Sequence, residues 1–367
     1  MRLSCSYIEL AAGLACRERR STVTTFYDER LAAWERAETE RRESRRSIMP
    51  EEYEWVETVQ DFETAFVIAP QTGFRTWGSE TMLSKIPAGH RTGAHRHGEE
   101  AIYIVEGEGF SIVKGRRYDW KEGSSLAVPF GAPHQHFNTG DTEATYLSVT
   151  SVGLEMFVGL HFTEQLEEKG KIDTLPDVAV AEDGKDEDGR RIRLHIEDAP
   201  DLGGGNVKEE DLPETPDFDE DNPLVVGNLQ GMEKLFQIHK SGLLEFMRIG
   251  KDRNDFKVHE QEISGVLIDP PYEHGGKHAH MEAHLFIIDG EGYSIVGDHK
   301  VPWKKGGGLF VPGPQTPHQH VNESDVPAKM LRIASGIRYF FEEAARDEWP
   351  YLYLAPRQGA IKPADAS

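Results

Sequence analysis

From about Phe62 the chain breaks into short apolar runs separated by glycine-bearing turns: TMLSKIPAG, AIYIVEGEGFSIV, GSSLAVPFG and TYLSVTSVGLEMFVG. Runs this short and closely spaced predict the strands of a β-sandwich or barrel, an all-β fold. The texture stops between about Glu164 and Asn222 and returns at Pro223 with LVVG, GLLEFMRIG and ISGVLID, persisting to about Tyr339. Ahead of the β regions, TFYDERLAAWERAETERRESRR (Thr25 to Arg46) is dense in helix formers, which predicts a charged surface helix that ends before Pro50. Behind them, FFEEAARDEWPYLYLAPRQG predicts a short helix followed by a docked or loose tail. The chain therefore divides into a leader and helix (1–60), a β unit (61–163), a linker (164–222), a second β unit (223–340) and a C-terminal helix and tail (341–367).

The linker is set apart by composition. AEDGKDEDGRR, DLGGG and KEEDLPETPDFDEDNP are acidic, rich in Gly and Pro and nearly free of aromatics, which suits a solvated segment tethered at most by one strand at Arg190–Ile196. It supplies much of the net charge of −23, which weighs against a nucleic-acid partner. An anionic substrate would need its own arginine or lysine inside the site. No run of 18 apolar residues is present, so no membrane helix is expected. The first residues, MRLSCSYIELAAGLACRERR, resemble an export signal only faintly, because Glu9 interrupts the apolar stretch and Arg2 alone supplies the basic start; a start placed too far upstream accounts for them better. Cys5 and Cys16 lie there and are the only cysteines, so the rest of the chain has neither a disulfide framework nor thiolate metal ligands, and a reducing cytoplasm fits.

The chemistry sits in a repeat. GAHRHGEEAIYIVEGEG (Gly93 to Gly109) returns as GKHAHMEAHLFIIDGEG (Gly276 to Gly292) at a constant offset of 183, which also relates Trp120 to Trp303. HQHFN (His134–Asn138) and HQHVN (His318–Asn322) follow at an offset of 184, one residue having been inserted after the proline. A fixed offset over some 45 positions is an internal duplication. Alternate residues of a strand share a face, so His95 and His97 can both point inward, with His134 arriving from a later strand. Imidazole suits a borderline divalent cation, and three protein ligands leave positions open for catalysis.

Gly89-x5-His95-x-His97-x2-Glu100-x6-Gly107 resembles the first cupin motif, with one residue fewer than usual before the glutamate. Gly123-x5-Pro129-x-Gly131-x2-His134-x3-Asn138 matches the second cupin motif position for position. The second copy fits more loosely, with Tyr272 in the place of Gly89. The resemblance covers both β regions and implies a bicupin: two tandem jelly-roll-like barrels, with His95, His97 and His134 as metal ligands in the first and His278, His280 and His318 in the second. Many cupins add a glutamate ligand, which is Glu100 in the first copy and Ala283 in the second, although the shortened loop leaves Glu99 and Glu100 both open as the inward one.

Among bicupins, the chain is most similar to the gentisate, salicylate and 1-hydroxy-2-naphthoate dioxygenases, which use three histidines without the glutamate. That likeness implies an Fe(II)-dependent ring-cleaving enzyme taking a small hydroxylated aromatic acid and dioxygen, with no organic cofactor, as a homo-oligomer. The alternatives are a Mn(II) oxalate-decarboxylase-like or quercetinase-like enzyme, which glutamate ligation would favour, and a non-enzymatic ligand-binding bicupin. His136 and His320 share a face with His134 and His318 and could orient substrate; Arg96, with Arg75, Arg91 and Arg248, is a candidate for the substrate carboxylate. Alternation points Arg96 outward, and Trp120 and Trp303 are read as packing residues.

Overall fold

The structure, a computed structural model, describes residues 24–76, 78–199, 224–226, 242–244, 256, 261–313, 316–335 and 351–355. The first 43 residues form one compact unit and Ser44–Ser367 the other. Within the first, a helix spans Phe26–Glu43. Thr25 caps it, its hydroxyl accepting from the Asp28 amide while Asp28 accepts from the Thr25 amide and hydroxyl. Asp28 and Glu29 in its first turn and Arg41 and Arg42 in its last complement the helix dipole, and none of its residues is buried.

The second unit holds two barrels, each made of two antiparallel sheets. In the first barrel one sheet runs in the order Arg193–His195, Ser124–Val128, Glu100–Glu106, Ala144–Thr150, Glu80–Ile86, Glu63–Ile68. The facing sheet carries Ala94–His97 and His134–Asn138 at its centre, with Glu108–Val113 also paired to the latter. The second barrel repeats the plan: Ala283–Asp289 and Ala328–Ser335 lie in one sheet, Lys277–Ala279 and His318–Asn322 in the other.

The apolar runs that lack alternation are explained by burial on both faces. Along Glu100–Glu106, Ile102 and Ile104 fill the first barrel with Trp120, Leu126 and Val128. Ala101 and Tyr103, pointing the other way, join a cluster that includes Phe286, Phe310, Leu331 and Ile333 of the second barrel. Leu285, Ile287 and Met330 fill the interior of the second barrel. The two barrels thus pack sheet against sheet through a shared apolar layer.

Three segments differ from the sequence expectation. The acidic stretch begins inside the first barrel, where Thr163–Glu167 pairs with Ala94–His97 and Gly170–Lys171 with His90–Arg91. Arg193–His195 then pairs with Ser124–Leu126, and Ile192 and Leu194 are buried. The strand Arg193–His195 falls within the tether expected at Arg190–Ile196, whereas composition hid Thr163–Glu167 and Gly170–Lys171 because backbone pairing to a barrel edge needs few apolar side chains. Residues 341–350, where the C-terminal helix was expected, lie outside the described ones, and the end beyond them, left docked or loose, is a strand of the second barrel, Tyr351–Ala355, beside Lys277–Ala279. Ser47–Ile48, from the stretch expected as leader, pairs with Gly308–Leu309 of the second barrel, ahead of the first barrel in sequence yet part of the other in space. No helix among the described residues is long and apolar enough to cross a membrane.

Candidate metal sites in the two barrels

In the first barrel His134 stands in register opposite His95, and His97 follows two residues along the same strand. Ring centroids of the three lie 4.9 Å (His95–His97), 4.1 Å (His95–His134) and 4.9 Å (His97–His134) apart. Backbone carbonyls fix the tautomers of two of them: Nδ1 of His134 lies 2.8 Å from the Ala132 oxygen and Nδ1 of His97 3.1 Å from Gly98, whereas the Gln60 amide nitrogen lies 2.5 Å from Nδ1 of His95 and 2.9 Å from its Nε2. Donation from Nδ1 leaves the Nε2 lone pair free to ligate. Burial, reinforced by the neighbouring imidazoles, holds His95 far below its ordinary value; burial likewise lowers His97. Neutral imidazole is the ligating form.

Glu100 completes this set from the facing sheet. Strand parity turns Glu100 inward with Ile102 and Ile104, and its Oε2 lies 3.5 Å from His134 Nε2 and 3.7 Å from His97 Nε2. Ser148 donates to its other oxygen at 2.5 Å. Burial pushes the carboxyl up, but His134, His97 and His136 around it hold it net below the usual carboxylate range. Glu100 Oε2 and His134 Nε2 are both buried and have no hydrogen-bond partner among the described residues. Two such orphaned acceptor atoms, face to face among three imidazoles, fit a divalent cation.

The second barrel repeats the histidine geometry without the carboxylate. His278 is in register with His318, their centroids 4.2 Å apart, and His280 lies 4.6 Å from His318. Nδ1 of His278 and of His318 face the oxygens of Gly276 and Thr316 at 3.0 and 2.9 Å, as in the first copy. His278, His318 and His320 offer donor atoms within 4.8 Å of one another. Ala283 is buried where Glu100 stands in the first barrel.

A cupin domain profile matches residues 82–150 and 265–334, the two strand sets that carry these histidines. The chain carries two cupin domains. A segment of 71 residues is 34% identical to 5-aminosalicylate 1,2-dioxygenase of Comamonas sp, and 58 residues are 33% identical to an uncharacterized protein of Methanocaldococcus jannaschii. The matches span 19% and 46% of those two proteins and 19% and 15% of this chain. Oxalate decarboxylase of Bacillus subtilis shares the fold with a TM-score of 0.51 at 13% identity, over 79% of this chain and 77% of that one. A salicylate 1,2-dioxygenase from Pseudoaminobacter salicylatoxidans, solved with gentisate, aligns with a TM-score of 0.47 at 13% identity, over 73% of this bicupin and 71% of that chain.

A cavity of about 590 Å³ opens over the first barrel's set and is lined by His95, His97, Glu100 and His136, among others. His136 reaches it through a relay: Trp120 Nε1 donates to Ser111 Oγ at 3.0 Å, and Ser111 Oγ lies 2.7 Å from His136 Nδ1. With Trp120 occupying one lone pair of Ser111, the hydroxyl proton can be donated to Nδ1, an arrangement that puts the His136 proton on Nε2, the atom available to the cavity. The bicupin repeats this relay as Trp303, Ser294 and His320. Arg96 points away, its guanidinium bonded to Glu164 and nearly half exposed, and it does not line the cavity. Its neighbours on both sides face inward, so alternation dictates this placement. Arg91 pairs with Glu167 and the Glu168 carbonyl, Arg75 does not line the cavity, and Arg248 lies outside the described residues.

Several cavity residues carried no sequence signal. Gln60 brings its amide nitrogen 2.9 Å from His95 Nε2, and Tyr146 donates to Asp61 at 3.1 Å. Glu155, on the helix Val152–Val158, is buried against Gly98, where a Cβ would fall 1.5 Å from its Oε1. These residues stand outside the repeat motifs and meet only through the fold. Among the described lining residues are five carboxylates, Glu54, Asp61, Glu80, Glu100 and Glu155, and no lysine or arginine.

Proposed function

We propose that this bicupin is a metal-dependent dioxygenase of hydroxylated aromatic compounds, with its catalytic centre in the first barrel. The observation that carries the reading is the orphaned pair, Glu100 Oε2 and His134 Nε2, facing each other beneath a cavity whose volume suits a small organic molecule. His95, His97, His134 and Glu100 would hold the ion, iron(II) or manganese(II). When bound, that ion supplies a Lewis-acidic site with open positions and the means to pass electrons between substrate and dioxygen.

The chain's own residues do the rest. Ser148 keeps Glu100 turned inward, and the Ala132 and Gly98 carbonyls keep His134 and His97 in one tautomer. His136, whose own value is lowered to about 3 by burial first, stays neutral and presents an Nε2 proton to an oxygen of the substrate. Val56, Phe66 and Met82 supply apolar wall for a ring.

The inward glutamate moves the reading from the three-histidine enzymes toward a three-histidine, one-carboxylate centre. The lining narrows the substrate further. Five carboxylates and no lysine or arginine leave the free carboxylate of an aromatic acid only the bound ion as a cationic partner, and they disfavour a dianion such as oxalate in this barrel more strongly. A phenolic hydroxyl needs no such cation. The likeness to a short segment of 5-aminosalicylate 1,2-dioxygenase supports ring oxygenation as the chemistry.

The test is metal analysis of the purified protein followed by oxygen-uptake assays over a panel of phenols and aromatic acids. His95→Ala is expected to abolish turnover and His278→Ala to leave it largely intact. The opposite pattern would move the centre to the second barrel, and the absence of bound iron and manganese would overturn the reading.

A further inference from the structure

The cavity over the first barrel has a second polar end. Glu100, Thr150 and Glu80 stand side by side on three neighbouring strands, Thr150 being in register with Glu100 on one side and with Glu80 on the other. All three line the cavity. Glu100 belongs to the histidine set, so the backbone at Glu80 lies two strand spacings from it, about 10 Å, with Thr150 between them.

The polar groups at this end are buried and unmatched. Thr150 is 5% exposed, and its Oγ1 has no hydrogen-bond partner among the described residues. Glu80 is 9% exposed, and its carboxylate makes no hydrogen bond or ion pair with a described residue. Burial raises that carboxyl above its ordinary value, and His161 and His284 oppose the rise through their charge alone. His161 also brings in Glu155, which is 2% exposed and whose Oε2 lies 3.4 Å from the His161 Nδ1. Among the described residues, no group able to hold a metal ion includes Glu80 or Glu155, and no lysine or arginine lines the cavity. A carboxylate and a hydroxyl, both buried and both without a partner, fit a ligand that supplies several N–H donors and a positive charge.

We propose that the substrate is a phenol carrying a primary amine, its hydroxyl at the histidine end of the cavity and its ammonium donating to the Glu80 carboxylate and the Thr150 hydroxyl. This deepens the reading of the first barrel given above and rests on it. The three N–H donors of an ammonium serve both acceptors at once, Glu80 through a charge-assisted hydrogen bond and Thr150 through a neutral one. Glu155 adds negative charge to the same end. A phenol without the amine leaves both groups desolvated and unpaired, and that penalty selects for the amine.

The test measures binding without turnover. The full chain, as purified with its metal, is titrated calorimetrically under nitrogen with tyramine and with 4-propylphenol, which carries a methyl group where tyramine has its ammonium. Tyramine is expected to bind more tightly by about tenfold or more, the worth of one charge-assisted hydrogen bond. Glu80→Gln should erase that preference, and Thr150→Val should reduce it several-fold. Equal affinity for the two phenols, or a full preference in folded Glu80→Gln protein, would overturn the proposal. Should Glu80→Gln fail to fold, a full preference in Thr150→Val protein would overturn it instead. The outcome is separable from that of the oxygen-uptake assays: turnover of neutral phenols with no preference for tyramine rejects this inference alone, and a preference for tyramine with no oxygen uptake rejects the oxygenase reading alone.

Discussion

Asp61 is the residue whose titration should be visible in the stability of the molecule. Burial, with Glu100 adding to it and the Tyr146 hydroxyl opposing, pushes its carboxyl up to about 6 from an ordinary 3.8. The folded chain therefore binds that proton more tightly than the unfolded chain does. The stability linked to Asp61 is fully present below about pH 4 and is lost as pH rises through about 6. Two pKa units of displacement correspond to roughly 3 kcal/mol. In metal-free protein, Asp61→Asn should flatten the pH dependence of denaturant unfolding between about pH 4 and 6 and raise stability at pH 7 by up to about that amount. An unchanged slope across this window would show that Asp61 is not the group responsible.

The strands that carry the ligands depend on two glycines with no room for a side chain. At Gly109 a Cβ would fall 2.0 Å from the Phe137 oxygen and 2.7 Å from the Trp120 ring, and Gly292 makes the same approach to Val321 and Trp303. Glu108–Val113 can lie this close to His134–Asn138 only without a side chain there, and the closeness lets Trp120 reach Ser111 and hence His136. Gly109→Ala is expected to destabilise the protein by about 3 kcal/mol or more, through overpacking against backbone that cannot move aside. It should also lower metal content, because the displaced strand bears His134. Thermal melts and metal analysis of the same sample check both effects, and a normal melt with normal metal content would contradict this account.

At the scale of the whole molecule, the layer between the barrels makes them one cooperative unit. Phe286 is 2% exposed and belongs to a cluster drawn from both barrels, with Leu83, Tyr103 and Leu147 on one side and Phe310 and Ile333 on the other. Phe286→Ala should cost about 3–5 kcal/mol, the usual range for a buried phenylalanine. The penalty should shift a single unfolding transition that includes the first barrel, followed by a tryptophan signal from Trp120 as well as from Trp303. Separate transitions, with only the second displaced, would show the barrels to be independent. Ser47–Ile48 adds a covalent reason for coupling, since it reaches the second barrel before the chain enters the first.

The sequence by itself determined the duplication, the all-β character of both units and the histidines at their centres. It could do so because alternation along a strand and the spacing of glycine, proline and histidine are local properties of the chain. The direction of Glu100 was not legible: the loop before it is one residue shorter than usual, and parity counted from His97 became ambiguous. Pairing of Glu100–Glu106 with Ala144–Thr150 and Ser124–Val128 settles that parity, and pairing is made by residues far away in sequence. Gln60, Asp61 and Glu155 reach the cavity from segments without a motif. The same holds for the edge strand Thr163–Glu167 and for Tyr351–Ala355, which are held by backbone hydrogen bonds to partners that only the closed barrel brings alongside.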